Sequence, residues 1–115
     1  MLKTDYVRLR HMLDAANEAL SFVADKSRIE LDLDRALALA LVKSIEIIGE
    51  AASRISRELR TQSPDIPWAD IVAMRNRLIH AYFDVNLDIV WQTVTDELPP
   101  LVRALEQLLV SSDPQ

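Results

Sequence analysis

The chain has 115 residues, which suits one domain of ordinary size and leaves no room for a second core. Half of the residues are apolar and 27% are charged, as is typical of globular proteins. A single glycine excludes the many tight turns of an all-β fold, and the absence of cysteine excludes disulfides and thiolate chemistry. We therefore expect a helical protein of the cytosol, since the first residues lack the pattern of a signal peptide and no apolar run is long enough to span a membrane.

The net charge of −5 argues against a protein that holds nucleic acid by overall charge alone. The charge is uneven, however, because the window from Arg54 to His80 has an excess of two positive charges. A polyanion would be attracted to this window. The alternative is that Arg54, Arg57 and Arg60, spaced by three, only cover the solvent side and the last turn of a helix.

The first half of the chain predicts two long helices. Apolar residues recur at intervals of three and four from Tyr6 to Val23, which indicates an amphipathic helix. A second helix is predicted from about Asp32 to Arg60. It has a second apolar face (Leu39, Val42, Ile45 and Ile47), so it is either central in a monomer or the seam of a dimer. Gly49 lies in its middle at a cost of ~1 kcal/mol relative to alanine, so we expect another backbone to approach closely there.

The second half predicts two further helices. A third and shortest helix begins near Pro67 and includes the run to Tyr82, and Phe83–Val85 forms a short link. Asn86 is a suitable N-cap for a fourth helix, whose apolar period continues through Pro99–Pro100 and so predicts a kinked helix or two stacked pieces. The fold class is all-α, an up-and-down bundle of four main helices over residues 1–110, followed by a flexible tail over 111–115.

The third helix carries a dense group of polar side chains, namely Arg75, Asn76, Arg77, His80 and Tyr82. On a continuous helix Asn76 and His80 share a face, and the long Arg75 side chain can bend toward the same edge. Arginine binds phosphate oxygens in a fork and histidine transfers protons near neutral pH. The alternative from spacing alone is an Arg75 paired with a carboxylate such as Asp70 or Asp84, with His80 capping the helix.

The string Arg75-Asn76-Arg77-Leu78-Ile79-His80-Ala81-Tyr82 resembles the signature of HepT-like toxins, which are small HEPN-domain ribonucleases. The resemblance extends to Ile48–Ala52, Trp68, Val85-Asn86, Val90-Trp91 and Leu98-Pro99. It implies a metal-independent endoribonuclease without a cofactor, in which Arg75 and His80 are catalytic and Asn76 and Arg77 support them or bind RNA. RNA provides its own nucleophile in the ribose 2′-OH, so the expected products are a 2′,3′-cyclic phosphate and a 5′-OH.

The same resemblance implies partners. HEPN ribonucleases form two-fold dimers whose motifs face a shared cleft, and a minimal nucleotidyltransferase antitoxin attaches AMP to the tyrosine that Tyr82 matches. Alternatively, Tyr82 only stacks on a base or completes the core. Two other functions remain open, namely a non-catalytic helical partner of the nucleotidyltransferase and a plain helical adaptor. We expect His11 to be an ordinary surface or packing residue, and Trp68 and Trp91 to anchor the core.

Overall fold

The structure is a computed structural model that describes residues 1–81 and 84–111, with the side chains of these residues except 79–81 and 84. The helices are α1 (Lys3–Val23), α2 (Glu30–Leu33), α3 (Arg35–Ser53), α4 (Arg57–Gln62), α5 (Trp68–Leu78), α6 (Leu87–Gln92) and α7 (Leu98–Val110). A π turn over Thr93–Glu97 joins α6 to α7. Two short antiparallel strands, β1 (Ile79–Ala81) and β2 (Asp84–Val85), follow α5. The predicted all-α class is confirmed.

The bundle is built on α3, which packs between α1 and α5, while α7 packs against α1. Apolar side chains from all of these helices form one core, whose fully buried members include Leu9, Met12, Leu41, Ile45, Ile48, Leu78 and Leu105. Trp68 is buried as expected, and its indole Nε1–H donates to Ser63. Among the described residues, no helix combines the length and apolar character needed to cross a bilayer. Of the predicted tail over 111–115, only Ser111 belongs to the described residues.

The prediction of one helix from Asp32 to Arg60 is wrong, because side-chain caps divide this segment into α2, α3 and α4. Asp34 has an extended backbone, and its carboxylate accepts the N–H of Leu37 at 3.0 Å, so α3 begins at Arg35. Ser56 likewise caps α4 through the N–H of Leu59. These caps provide hydrogen-bond partners at breaks where the apolar period continues without interruption.

A side chain of α1, that of Asp5, stabilises the break between α3 and α4. Asp5 is 3% exposed, and its two carboxylate oxygens accept the backbone N–H of Ser56 at 2.9 Å and its hydroxyl at 2.6 Å. As a result, Arg54, Arg57 and Arg60 do not share one helix. Arg60 folds back and donates from Nη2 to the carbonyl oxygen of Ala52 at 2.8 Å.

Gly49 is the point at which α3 and α5 approach each other, as predicted. A Cβ built on Gly49 would lie 3.5 Å from the carbonyl oxygen of Ile71 and 3.6 Å from that of Val72. These are ordinary contact distances, so a methyl group would fit at this position, and the close approach of α5 excludes only side chains larger than alanine. Arg75 is one turn beyond this crossing, which brings it close to the side chain that follows Gly49, Glu50.

The prediction that the third helix continues to His80 is wrong. The helix ends at Leu78, whose carbonyl oxygen accepts the N–H of Asn86 at 2.7 Å, and the chain then enters β1. Ile79 pairs with Val85, and the strand register shifts between Ile79 and Ala81. Because this hairpin pairing replaces the next helical turn, Asn76 and His80 do not share a helix face.

The predicted fourth helix consists of α6, the π turn and α7, and it continues through its prolines as its apolar period predicts. Asn86 caps it by accepting the N–H of Ile89 at 3.1 Å. Pro99 and Pro100 have no N–H to offer to the carbonyls of Thr95 and Asp96, the partners they would have in an α-helix. The deviation from α geometry occurs in this preceding turn, where Leu98 donates to the carbonyl oxygen of Thr93 in a π turn.

Candidate functional site

Arg75 lies in the last turn of α5 with its side chain 50% exposed. Its Nη1 atom is 3.8 Å from Oε2 of Glu50 on α3, and the other oxygen of Glu50 accepts Nε of Arg54 at 2.9 Å. The carboxylate beside Arg75 is therefore that of Glu50 and not that of Asp70, while the Asp84 side chain is outside the described part of the chain. At 3.8 Å this ion pair is loose, so the guanidinium can take another anion as a ligand.

The two arginines of α5 are directed to different neighbours. Nη2 of Arg77 lies 3.1 Å from Oε1 of Glu97 in the π turn, which joins α5 to the last helix. Asn76 lies between the two arginines in sequence and is exposed. Its amide makes no hydrogen bond with any described residue. The structure thus brings Arg75 and Asn76 to an accessible surface and engages Arg77 in an ion pair.

The remaining residues of the motif fall at the hairpin. The backbone of His80 belongs to β1, two residues after the end of α5, and its side chain is not among those described. Tyr82 lies outside the described residues. The roles expected of His80 and Tyr82 therefore stay predictions.

A groove between α1 and α3 leads to Arg75, with a cavity volume of about 430 Å³. Its polar lining consists of Arg8 and His11 from α1, Lys43, Glu46 and Glu50 from α3, and Arg54 and Arg75. We call this surface the α1–α3 groove. The sequence did not predict it, and His11 was expected to be an ordinary residue, because the juxtaposition depends on how α1 and α3 pack.

The α1–α3 groove is positive although the chain is negative. Its lining contains four permanently cationic side chains and two carboxylates, which gives an excess of two positive charges with His11 neutral. One of the carboxylates, Glu50, is already shared between Arg54 and Arg75. A concave surface of this charge can bind a phosphodiester strand, and Arg75 is at one end of it.

Two further expectations concern metal ligands and the dimer seam. Within the described part of the chain, no cluster of three or more histidine, aspartate or glutamate side chains is arranged to hold a metal ion.

The second apolar face of α3 is divided between buried and exposed residues. Val42 and Ile45 are buried in the bundle, whereas Leu39 and Ile47 are 52% and 38% exposed. The exposed part of this face is thus smaller than the sequence suggests.

Comparison with known proteins provides the family. Residues 12–108 match the family described as "Ribonuclease HepT-like". The chain is 36% identical to "Putative RNase TTE0752" of Caldanaerobacter subterraneus subsp. tengcongensis over 94% of this chain and 96% of that protein. It is 39% identical to "Probable ribonuclease HepT" of Thermococcus cleftensis over 65% of this chain and 68% of that protein. No solved structure matches the chain.

Proposed function

Because this chain belongs to the HepT-like ribonuclease family, we propose that it is an endoribonuclease toxin that a nucleotidyltransferase antitoxin neutralises. The observation that carries the proposal is the family match over 12–108, which includes the whole Arg75–Tyr82 motif. The exposed guanidinium of Arg75 at the end of a positive groove supports it.

The proposed reaction needs only groups that the RNA and the chain provide. The ribose 2′-OH attacks the adjacent phosphorus in line, the P–O5′ bond breaks, and the products are a 2′,3′-cyclic phosphate and a 5′-OH. His80 assists proton transfer at the 2′-OH or at the leaving oxygen. Arg75 stabilises the negative charge that develops on the phosphorane oxygens, and Asn76 helps to orient the phosphate.

One motif histidine per chain cannot act as base and acid at the same moment, which favours a dimer with two motifs in one cleft. Leu39, an exposed apolar residue of α3 that does not line the α1–α3 groove, is consistent with such a contact. A two-fold dimer of this kind would place two copies each of Arg75 and His80 beside one RNA strand.

The antitoxin part of the proposal concerns Tyr82. Attachment of AMP to this tyrosine would add bulk and negative charge two residues from His80 in sequence, and would oppose the binding of a phosphate strand. Intact mass spectrometry of the chain co-produced with a minimal nucleotidyltransferase tests this. We expect the mass of one or more AMP groups, absent in Tyr82→Phe and retained in the control Tyr6→Phe.

The enzymatic part is tested by the ends of the products. Purified protein is incubated with single-stranded RNA, and we expect a 2′,3′-cyclic phosphate and a 5′-OH, with no cleavage of DNA of the same sequence. Induction in cells separates the enzyme from a non-catalytic partner of the nucleotidyltransferase. The enzyme predicts growth arrest that His80→Ala abolishes, whereas cells indifferent to the wild-type protein would favour the non-catalytic partner.

A further inference from the structure

The α1–α3 groove extends well beyond the motif that the family match identifies. From Glu50, beside Arg75, the groove runs along α3 to Lys43, with Arg8 and His11 of α1 along its side. Because Asp5 near the start of α1 contacts Ser56 beyond the end of α3, Arg8 lies nearer to Glu50 and Lys43 lies at the distal end. Glu50 and Lys43 are seven positions apart on α3, which is about 10 Å along the axis at 1.5 Å per residue. This distance exceeds the reach of a single phosphate group bound at Arg75.

We propose that Arg8 and Lys43 make two successive phosphate contacts along the groove, an extended subsite that holds the RNA strand to one side of the phosphate that is cleaved. The proposal rests on the ribonuclease function proposed above and adds a substrate requirement to it. The enzyme acts on a strand several nucleotides long, because only such a strand contacts both Arg75 and the distal end of the groove.

The charge distribution supports a polyanion as the occupant. Neither Arg8 nor Lys43 makes an ion pair with any described residue, so both cations are available to a ligand. Several other surface arginines are neutralised by carboxylates, as in the pairs of Arg10 with Asp14 and of Arg28 with Asp32. Unlike arginines elsewhere on the surface, Arg8 and Lys43 line the same depression as Arg75.

The carboxylate of Glu46 makes it possible to test whether the groove binds a negatively charged ligand. Glu46 is half-buried in the groove and makes no ion pair with a described residue, so it repels a bound phosphate without compensation. Glu46→Gln removes this repulsion at nearly constant shape. A strand in the groove should therefore bind more tightly to Glu46→Gln, an outcome that damage to the fold does not produce.

The experiment measures the binding of a fluorescent single-stranded RNA by anisotropy, in the His80→Ala background so that the RNA stays intact. We expect the double variant Arg8→Ala/Lys43→Ala to raise Kd about tenfold at low salt. The slope of log Kd against log salt should fall by about 1.4, at roughly 0.7 per phosphate contact to a single strand. Glu46→Gln should lower Kd.

The matched control is Arg35→Ala/Arg103→Ala, which makes the same change in net charge at exposed positions outside the groove. Equal weakening by the two double variants, or no weakening by either, would overturn the subsite. So would a change in the oligomeric mass of Arg8→Ala/Lys43→Ala, since the groove would then be a contact between protein chains.

Substrate length separates the subsite from the proposed function. In the otherwise wild-type chain, loss of Arg8 and Lys43 should raise KM for a long oligonucleotide by a much larger factor than KM for a dinucleotide. If the wild-type protein cleaves RNA but shows no dependence on the groove, the subsite fails and the function stands. If it binds RNA through the groove but never cleaves, the function fails and the binding site stands.

Discussion

The carboxylate of Glu50 lies 3.8 Å from the guanidinium of Arg75, across the crossing of α3 and α5 at Gly49. The same carboxylate accepts a shorter hydrogen bond from Arg54 at 2.9 Å. Glu50 therefore holds two cations beside the accessible surface of the motif. It both restrains Arg75 and competes with a phosphate for it.

Replacing Glu50 by glutamine tests which of these two effects is larger. Exposed ion pairs contribute roughly 0.2–1 kcal/mol, so the lost restraint on Arg75 is small, whereas removing a negative charge favours a polyanion. We expect Glu50→Gln to lower KM for RNA about fivefold and to change kcat by less than that. A loss of kcat of about 100-fold would instead indicate that Glu50 takes part in proton transfer.

Gly49→Ala should stabilise the protein by about 0.5–1 kcal/mol, measured by chemical denaturation. Alanine is favoured over glycine inside a helix by about 1 kcal/mol, and the new Cβ would meet the carbonyl oxygens of α5 at ordinary contact distances of 3.5 and 3.6 Å. The control Gly49→Val adds atoms beyond Cβ at this crossing and should destabilise by about 1–3 kcal/mol. Destabilisation by alanine itself would mean that α3 and α5 are too close at Gly49 to accept a methyl group.

Thr93→Val should raise the free energy of unfolding by about 1 kcal/mol. Thr93 is fully buried, and its hydroxyl has no hydrogen-bond partner among the described residues. Valine has nearly the same shape and removes the unsatisfied polar group. The control is Thr95→Val, which loses a 2.9 Å hydrogen bond to the carbonyl oxygen of Trp91 and should not stabilise. Equal effects of the two substitutions would mean that the hydroxyl of Thr93 has a hydrogen-bond partner after all.

Asp5→Ala should destabilise the protein by about 2–3 kcal/mol, since it leaves the N–H and hydroxyl of Ser56 without their buried acceptor. Asp5→Asn should cost less, because the amide oxygen still accepts one of the two hydrogen bonds. The control Asp14→Ala removes a carboxylate that is 67% exposed and pairs with Arg10. Exposed ion pairs contribute about 0.2–1 kcal/mol, so this substitution should change stability by less than about 0.5 kcal/mol. Denaturant titration of the three variants provides the comparison.

The sequence predicts the helices that have a regular apolar spacing or a favourable N-cap residue. α1, the cap at Asn86, the helix through Pro99–Pro100 and the approach at Gly49 all follow from the residues themselves. The breaks in the predicted second helix do not, because the apolar period continues across them. The contact of Asp5 with Ser56, 51 positions apart, holds one of these breaks.

The sequence predicts which residues belong to the candidate site but not how they are arranged in space. The motif Arg75–Tyr82 identifies the family, and the family match agrees with it. Periodicity extends the third helix to His80, but pairing of Ile79 with Val85 ends it at Leu78. The α1–α3 groove is also absent from any local pattern, since it is formed by helices that are distant in sequence.

The cleavage rate of Arg75→Ala shows whether this guanidinium takes part in catalysis. With single-stranded RNA as substrate, we expect kcat to fall about 10²- to 10³-fold, as for the loss of one group that stabilises charge in a transition state. Arg75→Lys should recover only part of this loss, because lysine lacks the planar fork, and the control Arg103→Ala should cleave at the wild-type rate. Cleavage by Arg75→Ala at the wild-type rate, with the same product ends, would mean that Arg75 is not a catalytic residue.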